Sequence, residues 1–337
     1  MIPALQVENL KVHFFLDEGV VRAVDGVTFS LEQGKTLGIV GESGSGKSVI
    51  GQSILRIVPA PGRIVEGSIL LRLDDEDGTT KQLDMAEVNP VGRLARSIRG
   101  REVAMIFQEP MNSFSPLHTV GNQIIEALRL HSDVSKAEAR NRAVEMLHRV
   151  GIPQPEHRID AYPHELSGGM RQRAMIAMAL VCKPKILLAD EPTTALDVTV
   201  QAQILELLKS LQEEMGMSIL FISHNLGVIA EISHEVMVVY FGRVMERAPV
   251  NVIFREPLHP YTKALLTSVP GIDTPVRTHL ASIEGSLPEP HAVIPGCPFF
   301  GRCMECGGDT VCRDRPYALT SVSDDHQVAC PLMCVRM

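Results

Sequence analysis

The sequence holds no tryptophan and no apolar run long enough to cross a bilayer. A spanning helix needs about 18–20 apolar residues, and the longest clean run, Ala174–Cys182, reaches roughly half of that. The opening MIPALQVENL has neither a basic segment nor a long apolar one, so no secretory signal is expected. Tandem repeats, heptad runs and long low-complexity tracts are missing, which sets aside solenoids and coiled-coil arms. Basic charge is not in excess either. The formal net charge is −8, whereas a duplex-binding domain carries a basic footprint. The one Arg-rich run, RLARSIRGRE (93–102), reads as a solvated surface. Cysteine is nearly absent until the end: six of seven lie between Cys297 and Cys334. A cytosolic chain is expected, and there clustered thiols read as metal ligands before disulfides.

What is present is ordinary globular material: 337 residues, 45% hydrophobic and 21% charged, room for about two domains. LGIV (37–40), KILLAD (185–190), SILFIS (218–223) and EVMVVY (235–240) are short apolar runs bounded by turn residues. Such runs fit strands buried on both faces. VTVQAQILELLKSLQEEMG (198–216) has helical spacing and ends in Gly216. Strands alternating with helices give an α/β layer fold. LQVENLKVHFF (5–15) and VRAVDGVTFSL (21–31) instead alternate like antiparallel strands. Between about 112 and 178 only helical patterns appear, and RLDDEDGTTKQLD (72–84) reads as an acidic surface loop. After about 245 the prolines crowd, predicting a small loop-rich appendage and no further sheet.

GESGSGKS, residues Gly41, Glu42, Ser43, Gly44, Ser45, Gly46, Lys47 and Ser48, matches G-x-x-x-x-G-K-[S/T]. It follows an apolar strand and precedes a helical stretch, VIGQSILRIV (49–58). Glycines let the backbone N–H groups face phosphate oxygens, and the helix N-terminus adds partial positive charge. Lys47 can reach β- and γ-phosphates, and the Ser48 hydroxyl can ligate Mg²⁺. ILLADE (186–191) delivers Asp190 to the strand's C-terminal end, where open α/β sheets bind ligands. Asp190 can join the Mg²⁺ shell, and Glu191 can act as a base on the attacking water.

Three further stretches carry a family resemblance. LSGGMRQR (166–173) resembles the signature motif of ATP-binding-cassette (ABC) ATPases. FQEP (107–110) resembles their Q-loop, and ALD (195–197) with Ser223–His224 resembles the D-loop and switch histidine. The implied fold is an α/β P-loop NTPase of ABC type. It has a mixed sheet core, an antiparallel β subdomain, an inserted helical subdomain at about 112–178 and a small Cys-rich C-terminal extension. The implied division is 1–250 for the ATPase and 251–337 for the extension. Ser167 suits an N-cap for a helix starting near Gly169, and with Gly168 and Gly169 it offers a second anion site. The resemblance implies that this site covers the γ-phosphate on a second ATPase subunit, with Asp197 acting across the interface. It implies that Gln108 touches the Mg²⁺ shell and couples to a membrane partner, and that His224 positions water and Glu191. An aromatic residue near the first hairpin stacks on adenine in the family. Phe14 fits by spacing, and its neighbour Phe15, on the opposite strand face, is the other choice.

HPYTKALLTSVP (259–270), IEGSLPEP (283–290), PGCPFFGRC (295–303) and MNSFSP (111–116) resemble the ATPase subunits of bacterial oligopeptide, dipeptide and nickel importers. The resemblance implies Mg²⁺-dependent ATP hydrolysis that powers import, with peptides as first choice and nickel or oligosaccharides as alternatives. It implies a second ATPase chain (a heterodimer before a homodimer), two membrane permease subunits and an extracytoplasmic solute-binding protein. Its place would be peripheral, at the cytoplasmic face of the membrane. A soluble ABC ATPase acting on nucleic acid or ribosomes is the distant alternative, disfavoured by the acidic balance, so no nucleic acid is expected. Relatives carry a comparable cysteine cluster, some with [4Fe–4S]. By position the ligands here would be Cys297, Cys303, Cys312 and Cys330, with Cys306 able to replace a neighbour. The spacing between Cys303 and Cys312 departs from the pattern, so iron–sulfur, zinc and plain thiols all stay open. A metal would staple an appendage too small to build its own core.

Overall fold

The computed structural model describes residues 2–74, 79–108, 114–194, 196–268, 283–307 and 310–332. In chain order its main elements are β1 (Leu5–Leu16), β2 (Gly19–Leu31), β3 (Thr36–Val40), α1 (Lys47–Ile54), β4 (Gly62–Asp74), β5 (Thr80–Asp84), α2 (Arg93–Ile98) and β6 (Val103–Ile106). Helices α3 (Val120–His131), α4 (Lys136–Arg149), α5 (Pro155–Arg158) and α6 (Gly168–Leu180) follow with no strand among them. Then come β7 (Ile186–Asp190), α7 (Val198–Met215), β8 (Ser218–Ser223), α8 (Leu226–Ile232), β9 (Glu235–Tyr240) and β10 (Arg243–Pro249). The chain continues through α9 (Val250–Arg255), α10 (Pro260–Thr267), α11 (Thr310–Asp314), β11 (Thr320–Ser323) and β12 (His326–Val328).

Two sheets result. The strand orders are β2-β1-β4-β5, all antiparallel, and β11-β12-β10-β9-β3-β8-β7-β6. In the larger sheet β9, β3, β8, β7 and β6 run parallel, while β10, β12 and β11 are antiparallel. Alternation divides the parallel strands between two cores. Leu37, Ile39, Leu188, Leu220, Ile222, Met237 and Val239 face the antiparallel sheet. Val40, Leu187, Ala189, Ile219, Phe221, Val236 and Val238 face the helices. Each such side chain contributes about 1.5–3 kcal/mol on burial, which fixes strand register, because a one-residue slip exchanges the two faces. In β1 the inward residues step from Val7 to Leu10, and a register shift there, with Asn9 at φ 46°, absorbs the extra residue as a bulge.

Several expectations change. The ends of the stretch 72–84, expected as a loop, are strands, β4 and β5 pairing Leu70↔Asp84 through Asp74↔Thr80, while residues 75–78 lie outside the described residues. Lys81 and Asp84 sit on β5, the edge strand of that sheet, where charge does not interrupt pairing. Helix α1 stops at Ile54, short of the expected Val58. RLARSIRGRE is not merely solvated. Ala95 and Ile98 are buried, and Arg99 donates to the carbonyls of Leu55 (2.8 Å), Arg56 (2.9 Å) and Pro90 (2.8 Å). The C-terminal segment also extends the main sheet, β12 pairing with β10 through Glu246↔Val328 and Arg247↔Gln327. It shares the main core too: Cys297 and Phe299 lie in the helix-side cluster with Tyr240 and Tyr261. The need for a metal to replace a missing core therefore falls away.

Candidate nucleotide site

The strand order places β3 between β9 and β8, with β7 beyond β8, so the C-terminal ends of β3, β8 and β7 lie along one edge. The loop after β3 is GESGSGKS. Its crest, Ser43 and Gly44, is exposed, while Gly41, Ser45 and Lys47 are buried. Gly46 has φ 98°, and a Cβ there would stand 2.1 Å from the Ala23 carbonyl oxygen. Only glycine satisfies both conditions. Lys47 Nζ donates to the carbonyls of Gly41 and Glu42, both at 2.8 Å. Burial pulls its pKa down, and Glu191, Asp190 and Glu42 oppose that pull.

Asp190 ends β7 and accepts a hydrogen bond from Ser48 Oγ at 3.0 Å. Burial lifts its pKa, Ser48 opposes this, and the Glu191 charge adds to the rise. A buried carboxylate destabilised in this way, paired with a hydroxyl, is chemistry that suits a hard cation. Ser48 and Asp190 thus fit the expected Mg²⁺, which would neutralise phosphate charge when bound.

Glu191 is the hub. Its φ is 47°, rare for a non-glycine residue, and its N–H donates to Ile222 O at 2.9 Å. The carboxylate accepts from Thr194 Oγ1 (2.9 Å) and Gln108 Nε2 (3.2 Å), with His224 Nδ1 at 3.0 Å. Burial alone would raise its pKa. The hydrogen bonds from His224 and Thr194, with the charges of His224 and Lys47, outweigh this and hold it below the ordinary value. The group therefore stays an ionised acceptor at neutral pH, as a base toward water must be. Thr194 was not anticipated; its position three residues after Glu191 was the only signal.

The second half of the expected site is built separately. Ser167 N-caps α6, accepting from Met170 N at 3.3 Å, one residue earlier than expected. Gly169 faces α7, since a Cβ there would meet Val200 Cγ1 at 3.1 Å. Gly168 meets nothing within 4 Å among the described residues, so its own chain does not require the missing side chain. Asp197 N-caps α7, accepting from Val200 N at 3.0 Å. Gln172 of α6 donates to the carbonyl of Pro192, next to Glu191, a tie the sequence did not suggest. Phe14 is half-buried against the sheet-to-sheet core, close to Gly62 and Val58. Phe15 is 38% exposed, with the Arg63 guanidinium 4.2 Å from its ring centroid. Ala195 of the D-loop stretch, residues 109–113, residues 269–282 and Cys334 lie outside the described residues.

Among the described residues the cysteines gather without forming a ligating group. Burial pushes the Cys297 thiol up to about 12, and Cys330, Cys303 and Cys312 all add to the shift, so these three lie near enough to act on Cys297. Cys306 Sγ instead donates to the carbonyl of Cys303 at 3.3 Å. Among the described residues no group of three or more His, Cys, Asp or Glu side chains is arranged to hold a metal ion, so the expected iron–sulfur or zinc site is not supported.

The family described as "ABC transporter" matches residues 24–194, and that described as "Oligopeptide/dipeptide transporter, C-terminal region" matches 245–309. The chain is 49% identical over 325 residues to the Bacillus subtilis "Oligopeptide transport ATP-binding protein AppD", covering 96% of this chain and 95% of that one. It is 48% identical over 327 residues to the Sinorhizobium fredii "Probable peptide ABC transporter ATP-binding protein y4tR", covering 97% and 94%. Among solved structures, the dimeric post-hydrolysis state of the ATP-binding cassette MJ0796 bound to ADP and Pi matches with a TM-score of 0.63 and 26% identity. It covers 73% of this chain and 98% of that chain.

Proposed function

The chain belongs to the ABC transporter family of ATP-binding proteins, and on that footing we propose that it hydrolyses Mg²⁺-ATP to drive import of di- or oligopeptides. The observation that carries the reading is the hub at Glu191: a carboxylate ringed by His224, Gln108 and Thr194 at the rim of a phosphate loop. In this reading Lys47 and the loop amides hold the phosphates, Ser48 and Asp190 hold Mg²⁺, and Glu191 takes the proton of the attacking water. His224 contacts the γ-phosphate and positions water and Glu191, and Gln108 touches the Mg²⁺ shell and couples the site to a membrane partner. Phe14 or Phe15 stacks on adenine.

Ser167, Gly168, Gly169 and Asp197 serve the site of a second ATPase subunit. The open space at Gly168 supports close approach by another chain, and a solved relative of this fold is dimeric. A related but different chain is the preferred partner. Among the described residues no helix is long and apolar enough to cross a membrane, so two permease subunits would supply the passage. A solute-binding protein would supply cargo, and this subunit would work from the cytoplasmic face. The division at about residue 250 belongs to the same reading.

Reconstitution with the permease and binding subunits tests it. ATP hydrolysis should rise with added peptide and not with nickel or oligosaccharide. Stimulation by either of those alone would reassign the cargo, and co-purification with RNA or ribosomes would overturn the importer reading. Iron, acid-labile sulfide and zinc, assayed on chain purified without oxygen, decide the metal expected at the cysteines. About four irons and four sulfides mean a cluster, stoichiometric zinc means a structural site, and neither means plain thiols.

A further inference from the structure

Glu42 is the second residue of the phosphate loop, so it puts a carboxylate on the loop that is to hold an anion. Its partner comes from the far end of the chain. Arg302 Nη1 donates to Glu42 Oε2 at 2.7 Å and Arg302 Nη2 to Glu42 Oε1 at 3.0 Å, a bidentate pair. The Arg302 side chain is only 8% exposed. Its other donors are also used: Nη1 to Tyr240 Oη (3.2 Å), Nη2 to Ile283 O (3.0 Å) and Nε to Glu284 O (3.0 Å). All five guanidinium N–H groups thus have an acceptor. The Glu42 N–H donates to Tyr261 Oη at 2.9 Å. Tyr240, Tyr261 and Phe299 pack with ring centroids 4.6–5.4 Å apart, and the Arg302 guanidinium lies within 6 Å of two of them. The loop is therefore gripped by the extension through both the side chain and the main chain of one residue.

We infer that Arg302 is a positioning residue of the nucleotide site, acting through Glu42. It cancels a carboxylate charge that would otherwise oppose the ATP phosphates, and it holds that carboxylate turned away from them. The field of Glu42 reaches Lys47, the cation meant for the phosphates. A fully satisfied, buried guanidinium also costs far less to keep than to break. A contact serving only to dock the extension would have no reason to consume a charge inside the phosphate loop. The inference rests on the ATPase reading above.

The test is equilibrium binding of Mg²⁺-ATP to the full chain. Arg302→Gln should weaken ATP binding about tenfold, since an uncompensated charge acts across a partly buried site. In a Glu42→Gln background the same change should weaken it less than about twofold, because no charge is left to cancel. Arg302→Lys keeps the charge and loses the fork, and should stay within about threefold of wild type. Equal losses in both backgrounds, or Lys as poor as Gln, would make Arg302 an anchor of the extension only and overturn the inference. If Arg302→Gln does not fold, Arg302→Ala in the two backgrounds takes its place, read by the same comparison, and Arg302→Lys losing more than about tenfold overturns the inference. Wild-type chain that binds no ATP would instead sink the ATPase reading.

Discussion

Glu191 and Cys297 border the same large sheet but are held in different ways. Glu191 sits just beyond β7, and besides Thr194 of its own loop its partners come from the ends of β6 and β8. Parallel pairing fixes the order and register of those strands, so the sheet itself brings Gln108, Glu191 and His224 together. Cys297 sits on irregular chain. It is placed by Phe299 packing on Tyr240 and Tyr261, and by the Cys297 N–H donating to the Cys312 carbonyl at 2.8 Å. A motif at the end of a buried strand inherits its geometry from the fold. A motif on a loop-rich segment depends on a few side chains, and its spacing says little about where its atoms finish.

That contrast can be broken by mutation, in order of expected size. Phe299→Ala removes the ring on which the extension packs. It should cost about 3–5 kcal/mol of stability by denaturant unfolding. A cost below about 1 kcal/mol would mean the extension is held elsewhere. Lys47→Ala should act the other way round. ATP affinity should fall by about 2–5 kcal/mol, at least roughly thirtyfold, with unfolding shifted by less than about 1 kcal/mol. A large loss of stability would make Lys47 part of the scaffold and not of the site. The smallest effect sharpens the choice between aromatics. Loss of the adenine-stacking ring should cost about 1 kcal/mol of ATP affinity. If Phe15→Ala shows it, the exposed ring under Arg63 is the stacking partner. If Phe14→Ala does so without equal loss of stability, the half-buried ring is.

The strands around the site were legible because each is an apolar run ending in chemistry-bearing residues, as in ILLADE. The cap at Ser167 was legible too, a serine ahead of helical spacing, whereas the capping of α7 by Asp197 shows only in the structure. Strands β11 and β12 were not. TSVS and HQV are short and largely polar, and they become strands only because β10 offers an open edge. The hairpin at 62–84 was hidden by the charges near its turn. Nothing in local pattern could link Arg302 to Glu42 or Gln172 to Pro192, since those contacts are consequences of the completed fold.

The measurement that bears most directly on this account is hydrolysis and binding of Mg²⁺-ATP by Glu191→Gln beside the wild-type chain, in the assembled complex. Removing a positioned base costs about 10²–10⁴-fold in rate. The account predicts such a loss of turnover with ATP still bound at close to wild-type affinity. Turnover within about tenfold of wild type would contradict it, because the carboxylate at the centre of the hub would then not be the base.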